Sequence, residues 1–216
     1  TYSRALRLKP ESPPQWLSIA FDAAGLTLQC APEPLSALRQ LLAKVARAFD
    51  LNTDLAAVDA HLAQDPALAE DIGLEPGVRL TAGLDPFEIA VRAVIGQQIS
   101  VAAARTILAR LCLLAGEALP EGAPVGRAFP TAERLAELPV SDLTRIGLTG
   151  RRAETLLAMA RACVEPGCLD PADAAAAQER LLALPGVGPW TASYIALRAL
   201  GDADAFPSGD VVLQAA

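Results

Sequence analysis

The segment of this chain best suited to hold a charged ligand is Leu184-Pro185-Gly186-Val187-Gly188-Pro189-Trp190-Thr191-Ala192. It lies between two helical patterns. Pro185 stops the first, two glycines bracket an apolar residue, and Pro189 falls at a favoured first-turn position of the second. Glycines allow a tight turn and leave no Cβ to hold a ligand away. Amides freed at a helix start then form an anion site. A bare Gly-x-Gly between helices is an ordinary turn with cap residues. The full string is read as a phosphate grip, with Gly186, Val187, Gly188 and Thr191 as its contacts. The Val187 side chain is expected to plug between the helices. Further on, Phe206-Pro207-Ser208-Gly209-Asp210-Val211-Val212-Leu213 sets a carboxylate in a Gly/Pro-rich turn. Taken alone, Asp210 there is a cap for the segment that follows.

The elements that carry these groups follow from periodicity. Residues 2–8, 16–21 and 26–30 alternate apolar and polar side chains and are read as strands. From Leu35 the period changes: Leu35, Leu38, Leu41, Leu42, Val45 and Phe49 make one helical stripe. Strands followed by a covering helix predict a small α+β layer. Beyond it, helices are expected over 54–64, 86–96, 101–115, 131–138, 151–164, 173–184 and 190–200, with a break from Gly73 to Gly83. Thr131 and Ser141 stand where N-caps belong. The fold class is mainly α with a small α+β N-terminal layer. Residues 1–80 are expected as an α+β domain with linking helices, incomplete at its start. Residues 81–216 are expected as a helical domain with the helix–hairpin–helix at 173–200, incomplete at its end.

Composition narrows the classes. The chain of 216 residues is 52% hydrophobic but only 4% aromatic, so its core is built of Ala, Leu and Val, a composition that suits close-packed helices. No apolar run is long enough to span a membrane, and the first residues lack a signal-peptide pattern. The net charge of −7 argues against a broad positive field. Residues 1–80 carry 7 basic and 10 acidic side chains, and 81–216 carry 11 and 15, so neither part is basic. Any nucleic-acid contact must come from backbone amides and a few placed arginines, of which Arg151-Arg152 at a helix start are candidates. The four cysteines are read as reduced thiols, including Cys163 and Cys168 with Pro166-Gly167 between them. His61 is read as a surface residue.

The hairpin, the Gly/Pro-rich turn ending in Asp210, and Ala93-Val94-Ile95-Gly96-Gln97-Gln98-Ile99-Ser100-Val101-Ala102-Ala103-Ala104 occur in an order that resembles the helix–hairpin–helix DNA glycosylase superfamily (HhH-GPD). Within it the chain most resembles the alkylation-repair branch, the 3-methyladenine DNA glycosylase II type. The resemblance implies a multi-helix glycosylase fold with its C-terminal helices missing here. It implies Asp210 as the catalytic acid, which would stabilise an oxocarbenium-like sugar and activate water. It places Trp190, Tyr194 and Val211 around the base pocket and Gln97 and Gln98 as the wedge that fills the gap when a base is flipped. Aromatic faces there would favour a positively charged alkylpurine. Two departures stand out: two residues separate Pro207 from Asp210 where many members have one, and Val211 replaces a frequent aromatic. Glycosylases that also nick the strand use a hairpin lysine. Trp190 stands at that place, and the only lysines are Lys9 and Lys44. A monofunctional hydrolase of N-glycosyl bonds is therefore expected.

The resemblance further implies double-stranded DNA with damaged bases as partner, a monomer, a bacterial-type cytoplasmic location at the nucleoid, and no cofactor. Side chains offer no metal site; a monovalent cation is expected on the backbone of Leu184 and Val187. Two other readings fit the same motifs. One is a non-catalytic helix–hairpin–helix DNA-binding module, and the other a glycosylase of the superfamily acting on a mismatched or oxidised base.

Overall fold

A computed structural model describes residues 1–8, 12–22, 25–31, 35–210 and 214. The chain opens with an antiparallel meander, β1 (Tyr2–Leu6), β2 (Gln15–Asp22) and β3 (Gly25–Cys30), in spatial order β1-β2-β3. Tyr2 pairs with Ile19 across β1 and β2, and Ile19 pairs with Leu28 across β2 and β3. This register puts Leu17 and Ile19 on one face, where both are fully buried. Ser18, on the opposite face, meets the Ser3 hydroxyl at 2.7 Å.

Helix α1 (Leu35–Ala48) covers the buried face with Leu41, Val45 and Ala48. Phe49 then stands edge-on to Tyr2 and Phe21 at 5.8 and 5.2 Å between ring centroids. Leu42 of the expected stripe is exposed instead, and the side chain of Leu35 lies outside the described residues. Helices α2 (Leu55–Leu62) and α3 (Ala69–Leu74) follow with no buried residue. His61 on α2 is exposed, as expected. Helix α3 was not expected, because Gly73 was read as the start of a break; the glycine instead sits inside a short exposed helix.

The larger core gathers around α4 (Pro86–Gly96), whose Ala90, Val91, Ala93, Val94 and Ile95 are all buried. Asp85 starts it by accepting the amides of Phe87 at 2.8 Å and Glu88 at 3.2 Å, with Pro86 in the first turn. Burial pushes the Asp85 carboxyl up, against the pull of the Phe87 amide. Around α4 pack α5 (Val101–Ala115), α8 (Gly150–Val164), α9 (Ala174–Leu182) and α10 (Pro189–Ile195), the last widening into a π-helical turn at Ala196–Leu200. The helix expected at 131–138 is the shorter α6 (Ala132–Ala136), and a separate short helix, α7 (Val140–Arg145), follows it. Thr131 caps α6 as expected, accepting the Arg134 amide at 3.3 Å. Ser141 does not cap α7. Pro139 holds the cap position and the helix has begun by Val140.

Sheet and helices are tied by buried charge. Glu88, almost fully buried, pairs with Arg4 of β1 and with Arg92 one turn along α4, the latter at 2.6 Å. Arg47 of α1 donates to the Ala199 carbonyl at 3.0 Å. Among the described residues no helix is long and apolar enough to cross a membrane.

Candidate active site

Helix α9 ends at Leu182 and Pro185 prevents its continuation. The chain then reverses through Gly186, whose φ of +82° an L side chain rarely adopts. Space demands glycine there as well. A Cβ on Gly186 would lie 2.1 Å from Oγ1 of Thr155, a buried side chain of α8. Val187 is buried in the main core between the helices, the plug expected of it. Gly188 precedes α10 in an extended conformation with no side-chain cap, and Pro189 takes the first turn.

Of the four residues expected to contact phosphate, the structure separates two pairs. Among the described residues no acceptor takes the amides of Gly186 and Gly188. The Val187 amide is used inside the turn, donating to the Leu184 carbonyl at 3.2 Å. The Thr191 hydroxyl is nearly buried and accepts from Gln97 Nε2 at 3.0 Å. That same Nε2 donates to the Gly186 carbonyl at 3.2 Å. Gln97 therefore binds the hairpin itself, and its own carbonyl is held by Arg152 of α8.

Gln98 behaves differently from its neighbour. It is exposed at the turn between α4 and α5 and holds a φ of +53°, a left-handed conformation that costs a non-glycine residue of the order of 1 kcal/mol. Thr149 caps α8 through the Arg152 amide at 3.4 Å, so Arg151 and Arg152 fall in its first turn. Arg151 is exposed.

The turn that carries Asp210 closes the site. The Asp210 amide donates to the Pro207 carbonyl at 3.0 Å, and Pro207 is buried. A Cβ on Gly209 would lie 3.8 Å from the Trp190 Cβ, so this turn rests on the first turn of α10. Trp190 Nε1 donates to Asp210 Oδ2 at 3.0 Å. Four residues on, Tyr194 stacks on the indole with centroids 5.3 Å apart and planes at 25°. Val211, the third expected pocket residue, lies outside the described residues.

Most of these parts line one cleft of about 1070 Å³, while Tyr194, expected at the base pocket, stands behind the Trp190 indole and is not among the lining residues. Gln97 to Val101 form one wall, Thr149, Arg151, Arg152 and Thr155 of α8 a second, and Gly186, Gly188, Trp190 and Thr191 a third, with Gly209 and Asp210 completing it. Thr155 and the hydrogen bond from Trp190 to Asp210 are parts of the site that the sequence does not announce. Thr155 gives no sequence signal, since its role is to be the surface on which Gly186 packs. Lys44 lines a different cavity, with Arg7, Asp85 and Phe129. Among the described residues no group of three or more His, Cys, Asp or Glu side chains is placed to hold a metal ion. A carboxylate under an indole donor, walled by backbone amides and a guanidinium, can hold an anionic strand beside a centre that develops positive charge.

A family model described as the AlkA N-terminal domain matches residues 1–85. The Escherichia coli protein named DNA-3-methyladenine glycosylase 2 is 37% identical over 199 residues, which cover 91% of this chain and 67% of that protein. A Mycobacterium tuberculosis protein named probable bifunctional transcriptional activator/DNA repair enzyme AlkA is 39% identical over 178 residues, 81% of this chain. The chain spans only 35% of that relative's length. Among solved structures, 3-methyladenine DNA-glycosylase from Archaeoglobus fulgidus shares the fold, with a TM-score of 0.83 at 21% identity over 97% of this chain and 71% of that one. A second family model covers residues 91–216, more than half of the sequence, and by it the chain belongs to the HhH-GPD superfamily of base excision DNA repair proteins.

Proposed function

We propose that this chain is the core of a monofunctional DNA glycosylase that hydrolyses the N-glycosidic bond of alkylated purines such as 3-methyladenine. It acts as a monomer on damaged double-stranded DNA, at the nucleoid of a bacterial-type cytoplasm. The observation that carries this reading is the Trp190–Asp210 hydrogen bond at the cleft shared by the hairpin and the Gln97–Gln98 turn. In the proposal a phosphate of one strand lies against the amides of Gly186 and Gly188, with Arg151 alongside. The damaged nucleotide leaves the stack, and Gln98 fills its place.

The flipped base stacks near Trp190 and Tyr194, whose π faces attract the positive charge of an alkylpurine. A cationic base departs as a neutral molecule, so the reaction needs no acid to protonate it. Bond breaking leaves positive charge on the sugar, which the Asp210 carboxylate stabilises until water adds. Asp210 then takes the water's proton. With Trp190 where a strand-nicking glycosylase carries its hairpin lysine, the hairpin offers no amine for a Schiff base, and the reaction stops at the abasic site. The proposal includes a monovalent cation on the carbonyls of Leu184 and Val187. Neutral carbonyl donors suit a single positive charge, and the Leu184 oxygen keeps a lone pair beyond the one given to the Val187 amide.

The test is release of 3-methyladenine and 7-methylguanine from methylated duplex DNA under single-turnover conditions. Asp210→Asn is expected to slow release by about 10²–10³-fold or more while duplex affinity stays within a few-fold. Duplex binding without any base release by the unaltered chain would overturn the activity and leave a binding module. Undiminished release by Asp210→Asn would overturn the role of the acid. Borohydride reduction during turnover is expected to trap no protein–DNA adduct.

A further inference from the structure

The connection between α8 and α9 brings two thiols together. Helix α8 ends at Val164, Glu165 leaves the helical conformation, and the chain turns at Pro166 and Gly167, the latter with φ +83°. The turn returns Cys168 to Cys163, and their sulfurs stand 2.8 Å apart as free thiols. Arg180 of α9 holds the turn by donating to the Gly167 carbonyl at 2.9 Å. Cys168 and Arg180 also line a cavity of about 330 Å³ that reaches Leu184 at the root of the hairpin. Cys168 is otherwise buried, so this cavity is the side from which a small oxidant approaches it.

We propose that Cys163 and Cys168 are a peroxide-reactive pair that closes to an intramolecular disulfide. The geometry is nearly complete: a disulfide needs its sulfurs about 2.0 Å apart, so closure asks for a movement of less than about 1 Å. The electrostatics agree. The hydrogen bond from Cys163 draws the Cys168 thiol below its ordinary value, with the Arg180 charge adding to this against the effect of burial. Donating that bond, and burial, push Cys163 up. Burial also raises Cys112, which has no second sulfur beside it among the described residues.

In the first step the Cys168 thiolate attacks one oxygen of hydrogen peroxide. The O–O bond breaks, Cys168 becomes a sulfenic acid, and the departing hydroxide takes a proton to become water. Cys163 then attacks the Cys168 sulfur. The S–O bond breaks, and the second hydroxide leaves with the Cys163 proton as water. Two thiols and one peroxide give one disulfide and two waters.

The experiment is brief exposure of the folded chain to hydrogen peroxide, quenching by alkylation, and intact-mass analysis with non-reduced peptide mapping. The expected result is loss of two of the four alkylatable thiols, a mass lower by about 2 Da before alkylation is counted, and one crosslink joining Cys163 to Cys168. A reductant is expected to restore all four. Cys163→Ser is expected to stop at a sulfenic acid on Cys168 that dimedone labels roughly tenfold faster than Cys30 or Cys112. Oxidation of Cys30 or Cys112 ahead of the pair, or dimedone labelling of Cys168 in Cys163→Ser no faster than of those two, would overturn the proposal. None of these readouts depends on base release, so the dithiol and the glycosylase reading stand or fall separately.

Discussion

An indole N–H can only donate, so Trp190 serves Asp210 by holding an acceptor oxygen, and it does so best when the carboxyl is ionised. That makes Trp190 two things at once: an aromatic face stacked with Tyr194 and a donor that orients the acid. Trp190→Phe separates them, since phenylalanine keeps a face and loses the N–H. A hydrogen bond to a charged group is worth about 1.5–3 kcal/mol, so single-turnover base release is expected to fall about 10- to 150-fold with DNA affinity little changed. An unchanged rate would show that the carboxylate is oriented by its other surroundings. That Trp190 and Tyr194 share one helix face was legible from their four-residue spacing. The hydrogen bond was not, because it depends on how the Gly209 turn settles against the first turn of α10.

Between α4 and α5, Gln97 and Gln98 look alike in sequence and diverge in structure. One side chain is drawn inward to the Gly186 carbonyl and the Thr191 hydroxyl, and the other is left exposed on a left-handed residue. No local rule separates them, since the groups that claim Gln97 lie on a hairpin folded against it from far along the chain. The hairpin itself was readable because proline and glycine act within a few residues. Short helices were less so: α3 carries no buried face to give a period, and α7 begins behind Pro139 without a side-chain cap. The division between the two glutamines predicts opposite phenotypes. Gln97→Ala leaves the Thr191 hydroxyl without its donor and frees the hairpin from the α4 end, so urea unfolding is expected to show a loss of about 1–3 kcal/mol. Gln98→Ala is expected to change stability by less than about 0.5 kcal/mol, yet to slow release of a base from paired duplex. Equal losses of stability in both variants would contradict this assignment.

A chain of net charge −7 offers no broad positive field, and many of its arginines are already engaged within the fold. Arg4 and Arg92 are spent on the buried Glu88, Arg7 pairs with Glu117, Arg145 with Asp142 and Arg134 with Glu137. Arg47, Arg110, Arg127 and Arg180 donate to backbone carbonyls, and Arg152 to that of Gln97. Arg4 and Arg47 fasten the N-terminal layer to the helical core, whereas the Arg134–Glu137 and Arg145–Asp142 pairs are local and exposed. Removing one partner of the buried set, as in Glu88→Ala, leaves uncompensated charge in the interior. The cleft is lined by Arg151, by Arg152 already engaged on the Gln97 carbonyl, by neutral amides and by the Asp210 carboxylate. Each phosphate neutralised by a side chain contributes about −0.9 to the slope of log K against log salt, and a protein with six to ten such contacts loses about 10³–10⁵ in affinity between 50 and 200 mM salt. With the grip resting on amides and a few cations, the slope for an undamaged duplex is expected to be shallower than about −4, measured by fluorescence anisotropy over that range. Arg151→Gln is expected to reduce it by about one unit and to weaken binding evenly across sequences. A slope steeper than about −6 would mean that cations outside the cleft dominate the contact, and that the hairpin amides are not the principal hold on the strand.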